Sequence, residues 1–216
     1  ELDVIDVRLL GALGVSWTGL LFINGGLLFP HAAADPSPLQ FTVAHEVSHQ
    51  WWGALVGSNT NDHAFLAEGL ANCSAVLAVL ASQGLAAAKA QVDRQIAQPY
   101  LRALAESGDG VVDRPGNAEA PGPSLNVLIY AKAALGFLAI REALGPDAFA
   151  AALRAYVTDF SWRVSQPADL RAEFQAQRAQ GIGLLWTTWF DSRSVTAAEV
   201  QAVVSAFGPV EAATPA

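Results

Sequence analysis

The chain has 216 residues, 52% of them apolar, which is enough for one sizeable domain with a full core. Twelve basic residues against twenty acidic ones give a net charge of −8, so there is no footprint for nucleic acid, and no run of Lys or Arg suggests an anionic membrane surface. No uninterrupted apolar run of eighteen or more residues occurs and no signal-peptide pattern is present, so no segment is expected to span or contact a membrane. The single cysteine, Cys73, excludes an internal disulfide and reads as a small core residue in an apolar helical stretch. No methionine occurs, not even at position 1, which is expected of a chain excised from a longer one.

Residues 2–10 and 20–29 are rich in Val, Ile, Leu and Phe and are separated by Gly11, Gly14 and Gly19, so two strands of a small sheet are expected, with Asn24-Gly25-Gly26 a further turn or bulge. After residue 37 everything reads as helix. Ser37-Pro38-Leu39-Gln40 offers a capping box with proline at the first helical position, and Gly53 follows Trp52, which predicts a helix over 38–52. Asp62 is expected to cap a helix over 63–82 that ends near Gly84. Further helical patterns cover 85–105, 125–144, 147–159, 168–179 and 182–191, and the capping box Thr196-Ala197-Ala198-Glu199 opens a last helix to Phe207. Ser107 to Pro123 is the one long loop; it leads into the helix bearing Tyr130 and is expected to line or cover a cleft. The fold class is therefore α+β and mostly α-helical. It divides into a β portion over 1–36, paired helices over 37–84, a helical lobe over 85–193, and a C-terminal helix and tail over 194–216.

The helix over 38–52 carries His45-Glu46-Val47-Ser48-His49. Residues four apart on an α-helix are displaced by only about 40° around the axis, so both imidazoles can reach one metal ion. Glu68, nineteen positions after His49 on the next predicted helix, supplies a third ligand. Two imidazoles and a carboxylate leave one tetrahedral position open for water, which is the catalytic arrangement for Zn²⁺, one per chain. Such an ion would lower the pKa of its water toward neutrality and polarise a substrate carbonyl. Glu46 points about 100° away from its neighbours, so it is read as a general base that reaches the water from the side. Asn72 lies four residues after Glu68 on the same helical face; its side chain either accepts from the second ring nitrogen of a ligand histidine or packs against backbone groups. His31 and His63 match no ligand spacing: His63 precedes Glu68 by five residues and points about 140° away, so both are read as incidental.

On these residues the chain resembles the aminopeptidase N family of gluzincins, which includes leukotriene A4 hydrolase and is built on a thermolysin-like catalytic domain. The resemblance rests on His45-Glu46-Val47-Ser48-His49-Gln50-Trp51-Trp52-Gly53, on the spacing to Phe65-Leu66-Ala67-Glu68-Gly69, and on Tyr130-Ala131-Lys132-Ala133. The last segment is similar to a family Tyr-x-Lys-Gly motif, which implies that Tyr130 stabilises the oxyanion of the tetrahedral intermediate. Leu2 to Arg8 resembles the strand before the family's substrate-binding Gly-x-Met-Glu-Asn segment, and Asp169 to Phe190 resembles the closing helices of its catalytic domain, so coverage is roughly 1–193. The β-rich domain that precedes the catalytic domain in the family is absent, which implies other domains in a longer parent chain.

One departure bears on substrate. In place of Gly-x-Met-Glu-Asn this chain reads Leu13-Gly14-Val15-Ser16-Trp17, so Gly14, Ser16 and Trp17 are the candidate substrate-binding residues. Ser16 stands where the family has the glutamate that pairs with a free α-amino group, and a hydroxyl cannot supply that ion pair. The expected function is hydrolysis of peptide bonds in a peptide or protein substrate by a zinc metallopeptidase. The alternatives are thermolysin-like endopeptidase action and a peptide-binding module that keeps the fold. The intact Glu46 favours catalysis, and Ser16 favours the alternatives.

Overall fold

The computed structural model describes residues 1–28, 37–117 and 119–208. At the N-terminus, β1 (Asp3–Val7), β2 (Gly14–Trp17) and β3 (Leu20–Asn24) form a sheet of order β1-β3-β2, with β1 parallel and β2 antiparallel to β3. The glycine-punctuated stretch read as a connection thus contains a strand of its own. Its register opposes Gly14 to Ile23 and Trp17 to Leu20, and the tight return at Gly19, with φ near +76°, closes it. Two further differences lie close by. Strand β3 stops at Asn24, and one helical turn, α1 (Gly25–Leu28), follows where strand was expected. The Asn24 side chain donates to Leu9 O and Ala12 O and accepts from Gly26 N–H, so it closes the turn instead of continuing the ladder.

Helix α2 (Ser37–Ser48) runs antiparallel to α3 (Phe65–Gln83). Gln83 bonds Gln40 at one end of the pair, and the Trp52 indole N–H bonds Ser74 Oγ at the other. Helix α2 ends earlier than the expected residue 52. Tighter turns carry the chain onward from His49, with Trp51 and Trp52 N–H both on Ser48 O and Gly53 at φ +110°. The His45–His49 segment therefore sits at the C-terminal end of α2, with His49 just past it. The capping contact expected of Ser37 lies outside the described residues.

Asp62 does not cap α3. The helix starts at Phe65 behind a helical Ala64 with no side-chain cap, while the Asp62 carboxylate accepts from Asn59 Nδ2 at 2.6 Å. Asn59 O takes the N–H groups of Asp62 and His63, so the Asx-type turn captures the carboxylate before the helix begins. Two three-residue strands were also missed: β4 (Val56–Ser58) and β5 (Arg163–Ser165) pair in parallel and tie the segment after α2 to the C-terminal half.

The helical half comprises α4 (Leu85–Gln91), α5 (Gln98–Ser107), α6 (Leu125–Val127), α7 (Ala133–Leu144), α8 (Pro146–Phe160), α9 (Pro167–Gln177), α10 (Ile182–Trp186) and α11 (Ala197–Ala206). Three π-helical turns, Val92–Ala97, Leu128–Lys132 and Thr187–Asp191, join α4 to α5, join α6 to α7 and extend α10. The helices expected over 85–105, 125–144 and 182–191 are thus continuous rods with one local widening each. The core is aromatic at its centre: Phe190 lies 5.1 Å from Phe65, 4.9 Å from Phe137 and 4.6 Å from Trp186, ring to ring. Such pairs add about 0.5–1.5 kcal/mol each beyond the burial of their area. Phe65 is the first residue of α3, so this cluster fixes the helix end that carries Glu68. Val200, Val203 and Phe207 bring α11 into the same core, with Arg141 stacked over the Phe207 ring. By length and a mean hydropathy of 1.6, α3 could cross a membrane, but 61% of it is buried inside the fold, where it serves as the central helix.

Cys73 lies in that buried face of α3, and burial pushes its thiol up to about 12. At pH 8 only about 10⁻⁴ of such a group is thiolate. Cys73 is therefore expected to resist iodoacetamide in the native protein and to react fully after denaturation, read by mass spectrometry; stoichiometric native labelling would contradict this packing.

Candidate metal centre and cleft

The two histidines and Glu68 converge from α2 and α3. His45 Nε2 and His49 Nε2 are 3.1 Å apart, and each lies 3.3 Å from Glu68 Oε2. Their outer nitrogens are fixed by acceptors. His49 Nδ1 stands 2.9 Å from the Trp52 carbonyl, which can only accept, so this ring nitrogen carries the proton. Asn72 Nδ2 donates to Tyr130 O at 2.8 Å, which assigns Asn72 Oδ1, 2.7 Å from His45 Nδ1, as the acceptor from that ring. Both Nε2 atoms therefore turn lone pairs toward Glu68 Oε2, a buried oxygen with no hydrogen-bond partner.

This triangle fits a tetrahedral zinc. Ligand atoms about 2.0–2.1 Å from one ion are separated from each other by about 3.3–3.4 Å, close to the spacing seen here. Among the described residues this is the one group of three such side chains close enough to hold a metal. Burial pushes the Glu68 carboxyl up; when the imidazoles are protonated and donate from Nε2 they outweigh this and draw it down to about 2, so the carboxylate is an anion wherever positive charge sits at this point. His49 is pulled down by burial and raised more by Glu68 and the Trp52 carbonyl, for a net shift upward.

Glu46 leaves α2 on a different side from its neighbours and is buried, with 6% of its surface exposed. Burial raises its pKa above the ordinary carboxylate value, partly offset by His45 and His49. Its carboxylate lies against Gly14 of β2 so closely that a Cβ at position 14 would fall 2.5 Å from Glu46 Cγ and Oε1. The glycine is thus required by the carboxylate's position, and β2, the strand missing from the sequence reading, is one wall of the site.

A cleft of about 560 Å³ opens over these groups, with Gly14, Ser16 and Trp17 of β2 on one side and Tyr130 on another. The Tyr130 ring lies 5.9 Å from that of His45, and burial together with the facing Glu68 carboxylate pushes its hydroxyl pKa up. Ser16 Oγ and Trp17 O both accept from Gln50 Nε2, while Gln50 Oε1 accepts from Gly19 N–H. Gln50, next to the motif, thereby pins the β2 hairpin to α2; the sequence reading gave it no role.

None of the described residues of the loop Ser107–Pro123 lines this cleft. Asp113 pairs with His63 at 2.5 Å, Gly116 N–H bonds Asn61 O, and Val112 and Asp113 N–H both bond Phe190 O, which holds the loop against the turn before α3. His63 accordingly serves as a loop anchor. His31 lies outside the described residues.

Two imidazoles and a carboxylate converge on one point with a second carboxylate alongside, a donor set of the kind that suits zinc. Residues 15–189 match the Peptidase family M1 domain, and the chain belongs to that family. It is 30% identical over 166 residues to Aminopeptidase M1-B of Oryza sativa subsp. japonica, covering 73% of this chain and 18% of that protein. It is 27% identical over 166 residues to Aminopeptidase M1 of Arabidopsis thaliana, with the same two coverages. The chain thus spans about a fifth of the length of these relatives. Among solved structures, an M1 zinc metallopeptidase from Deinococcus radiodurans superposes with a TM-score of 0.68 at 19% identity, covering 90% of this chain and 40% of that one. A mutant two-domain M1 zinc metallopeptidase bound to L-tryptophan gives 0.70 at 21% identity, with the same coverages. The mostly helical α+β fold is the one these enzymes share.

Removing the acceptor on His45 frees its ring and tautomer. Asn72→Ala is expected to weaken zinc binding about 10- to 100-fold in chelator competition; an unchanged affinity would reduce the Asn72 contact to packing.

Proposed function

We propose that this chain is the catalytic domain of a zinc-dependent, aminopeptidase N-like metallopeptidase, with His45, His49 and Glu68 holding one zinc and Glu46 and Tyr130 as catalytic residues. The observation that carries the reading is the 3.1–3.3 Å triangle of lone pairs with Glu46 alongside. Zinc held there would supply Lewis acidity toward a water and toward the substrate carbonyl. Glu46 removes the proton of that water as its oxygen bonds to the carbonyl carbon. As the C–N bond breaks, Glu46 passes the proton to the leaving amine. The raised Tyr130 pKa keeps the hydroxyl protonated at neutral pH, so it can donate to the oxyanion where negative charge develops.

The relatives' names as aminopeptidases support the reading, as does an M1 zinc metallopeptidase of Deinococcus radiodurans bound to a Tyr-Ser-Ala substrate. The substrate is a peptide or protein lying beside β2, and further domains of a longer chain belong to the proposal. The expected units, a catalytic domain over 1–193 and a C-terminal helix and tail over 194–216, are part of it too.

One observation favours a second reading of the exopeptidase character. Among the described residues lining the cleft, the carboxylates are Glu46 and Glu68, and both are committed to the reacting centre. Ser16, with its hydroxyl accepting from Gln50, offers a charged α-amino group no ionic partner. Endopeptidase action is the alternative that this permits.

Two predictions test these readings. His45→Ala and Glu68→Ala should each abolish zinc binding by atomic emission, whereas Glu46→Gln should keep one zinc and lose at least ~100-fold in kcat. Full zinc in the first two, or full activity in the last, would overturn the assignment. For the substrate, loss of a charge-assisted hydrogen bond of about 1.5–3 kcal/mol corresponds to about ten- to a hundred-fold in discrimination. The protein should therefore cleave free and N-acetylated peptides at similar rates, and Ser16→Glu should raise the preference for free ones. Stepwise release of N-terminal residues with rejection of acetylated peptides would contradict this.

A further inference from the structure

Tyr130 stands in the π-helical turn Leu128–Lys132, where the Ala133 N–H reaches back five residues to Leu128 O. The widening turns Tyr130 out of the regular helical sequence of positions and toward the cleft, and such turns do not hold themselves: they persist where the surroundings fix them. Three contacts fix this one. A Cβ at Gly69, the residue after the ligand Glu68, would lie 2.6 Å from Ala133 Cβ and 3.3 Å from Ile129 O, so α3 presses on the turn with no side chain between. Asn72 Nδ2 holds the Tyr130 carbonyl while its Oδ1 holds His45.

The third contact is the most unusual. Lys132 is fully buried, with 0% of its surface exposed, and does not line the cleft. Its ammonium donates to Asp109 Oδ2 at 2.9 Å, Gly110 O at 2.8 Å and Ser192 O at 2.9 Å, which uses all three of its donors on two separate chain segments. Asp109 in turn accepts from the Tyr100 hydroxyl at 2.6 Å, from Gly110 N–H and from Val195 N–H. A buried ion pair of this kind adds little to stability compared with apolar residues of the same size, because each charge is desolvated. Its distinctive property is direction: a donor with three fixed acceptors cannot slide.

We propose that Lys132, with Asp109, is a positioning residue that locks the π-turn and thereby sets where the Tyr130 hydroxyl stands relative to the metal ligands. The proposal rests on the reading of Tyr130 as the oxyanion donor. Lys132 touches no substrate; it acts two residues away, through the backbone of the same turn. A displacement of the hydroxyl by about 1 Å is enough to cost on the order of 100-fold in turnover.

The test is a double-mutant cycle on the zinc-loaded protein, using Lys132→Met, Tyr130→Phe and the pair. Lys132→Met should lower kcat about 10- to 100-fold with KM and zinc content unchanged, and should cost nothing further in the Tyr130→Phe background. Tyr100→Phe, which deletes only the hydroxyl on Asp109, should give a smaller loss of the same kind, again absent without the Tyr130 hydroxyl. It decides the matter if Lys132→Met fails to fold. Equal losses in both backgrounds, or a rise in KM with loss of zinc, would make the Lys132–Asp109 pair a general structural element and overturn the proposal. If Tyr130→Phe alone keeps full kcat, the oxyanion role of Tyr130 falls first, and the positioning role falls with it.

Discussion

The constraint on which the rest of the structure depends is the approach of two imidazole nitrogens and a carboxylate oxygen to within 3.1–3.3 Å of one another, lone pair to lone pair. A buried oxygen without a partner costs about 1–3 kcal/mol, and more when it is charged. Only a cation or shared protons can relieve it. The surroundings keep the problem posed: the Trp52 carbonyl and Asn72 take the outer protons of both rings, which leaves the inner Nε2 lone pairs of the neutral rings facing the Glu68 oxygen. The geometry is thus prepared for an ion before one arrives, which is the condition for tight and specific metal binding.

Around this centre the fold places two groups that the His45–His49 motif alone cannot place. Glu46 is turned away from the histidine face by helical geometry, yet its position depends on a strand from elsewhere, because any side chain larger than that of Gly14 would displace its carboxylate. Tyr130 arrives on a widened turn held between α3 and the buried Lys132–Asp109 pair. The aromatic cluster of Phe65, Phe137, Trp186 and Phe190 supplies the rigid backing, since it grips the first residue of α3 and therefore the helix end that carries Glu68.

Much of this was legible in the sequence, and the limits follow from range. Spacing of four within a helix is local, so His45, Glu46 and His49 declare their relative directions without reference to anything else. The class of fold and the family follow from such local patterns, and Glu68 and Asn72 fall on one helical face for the same reason. Most of what failed depends on partners distant in sequence. Strands β4 and β5 are three residues long and exist because they pair across more than a hundred positions. Strand β2 hides among glycines that are read as punctuation, although one of them is there for Glu46. Asp62 has cap chemistry, but the turn at Asn59 claims it first. The loop 107–123 has the composition of a lid and is instead fastened by Asp113 to His63 and by Asp109 to Lys132. Nothing in a single sequence pairs an aspartate with a lysine twenty-three residues on.

The most direct measurement is a crystal structure of the purified protein with anomalous scattering recorded on both sides of the zinc absorption edge. The account predicts one zinc peak per chain, about 2.0–2.1 Å from the Nε2 atoms of His45 and His49 and about 2.0–2.2 Å from a Glu68 oxygen, with Nδ1 of each ring still on Asn72 and Trp52. A peak coordinated through Nδ1, a peak that omits Glu68, or no zinc at this site in protein purified without chelator would contradict it.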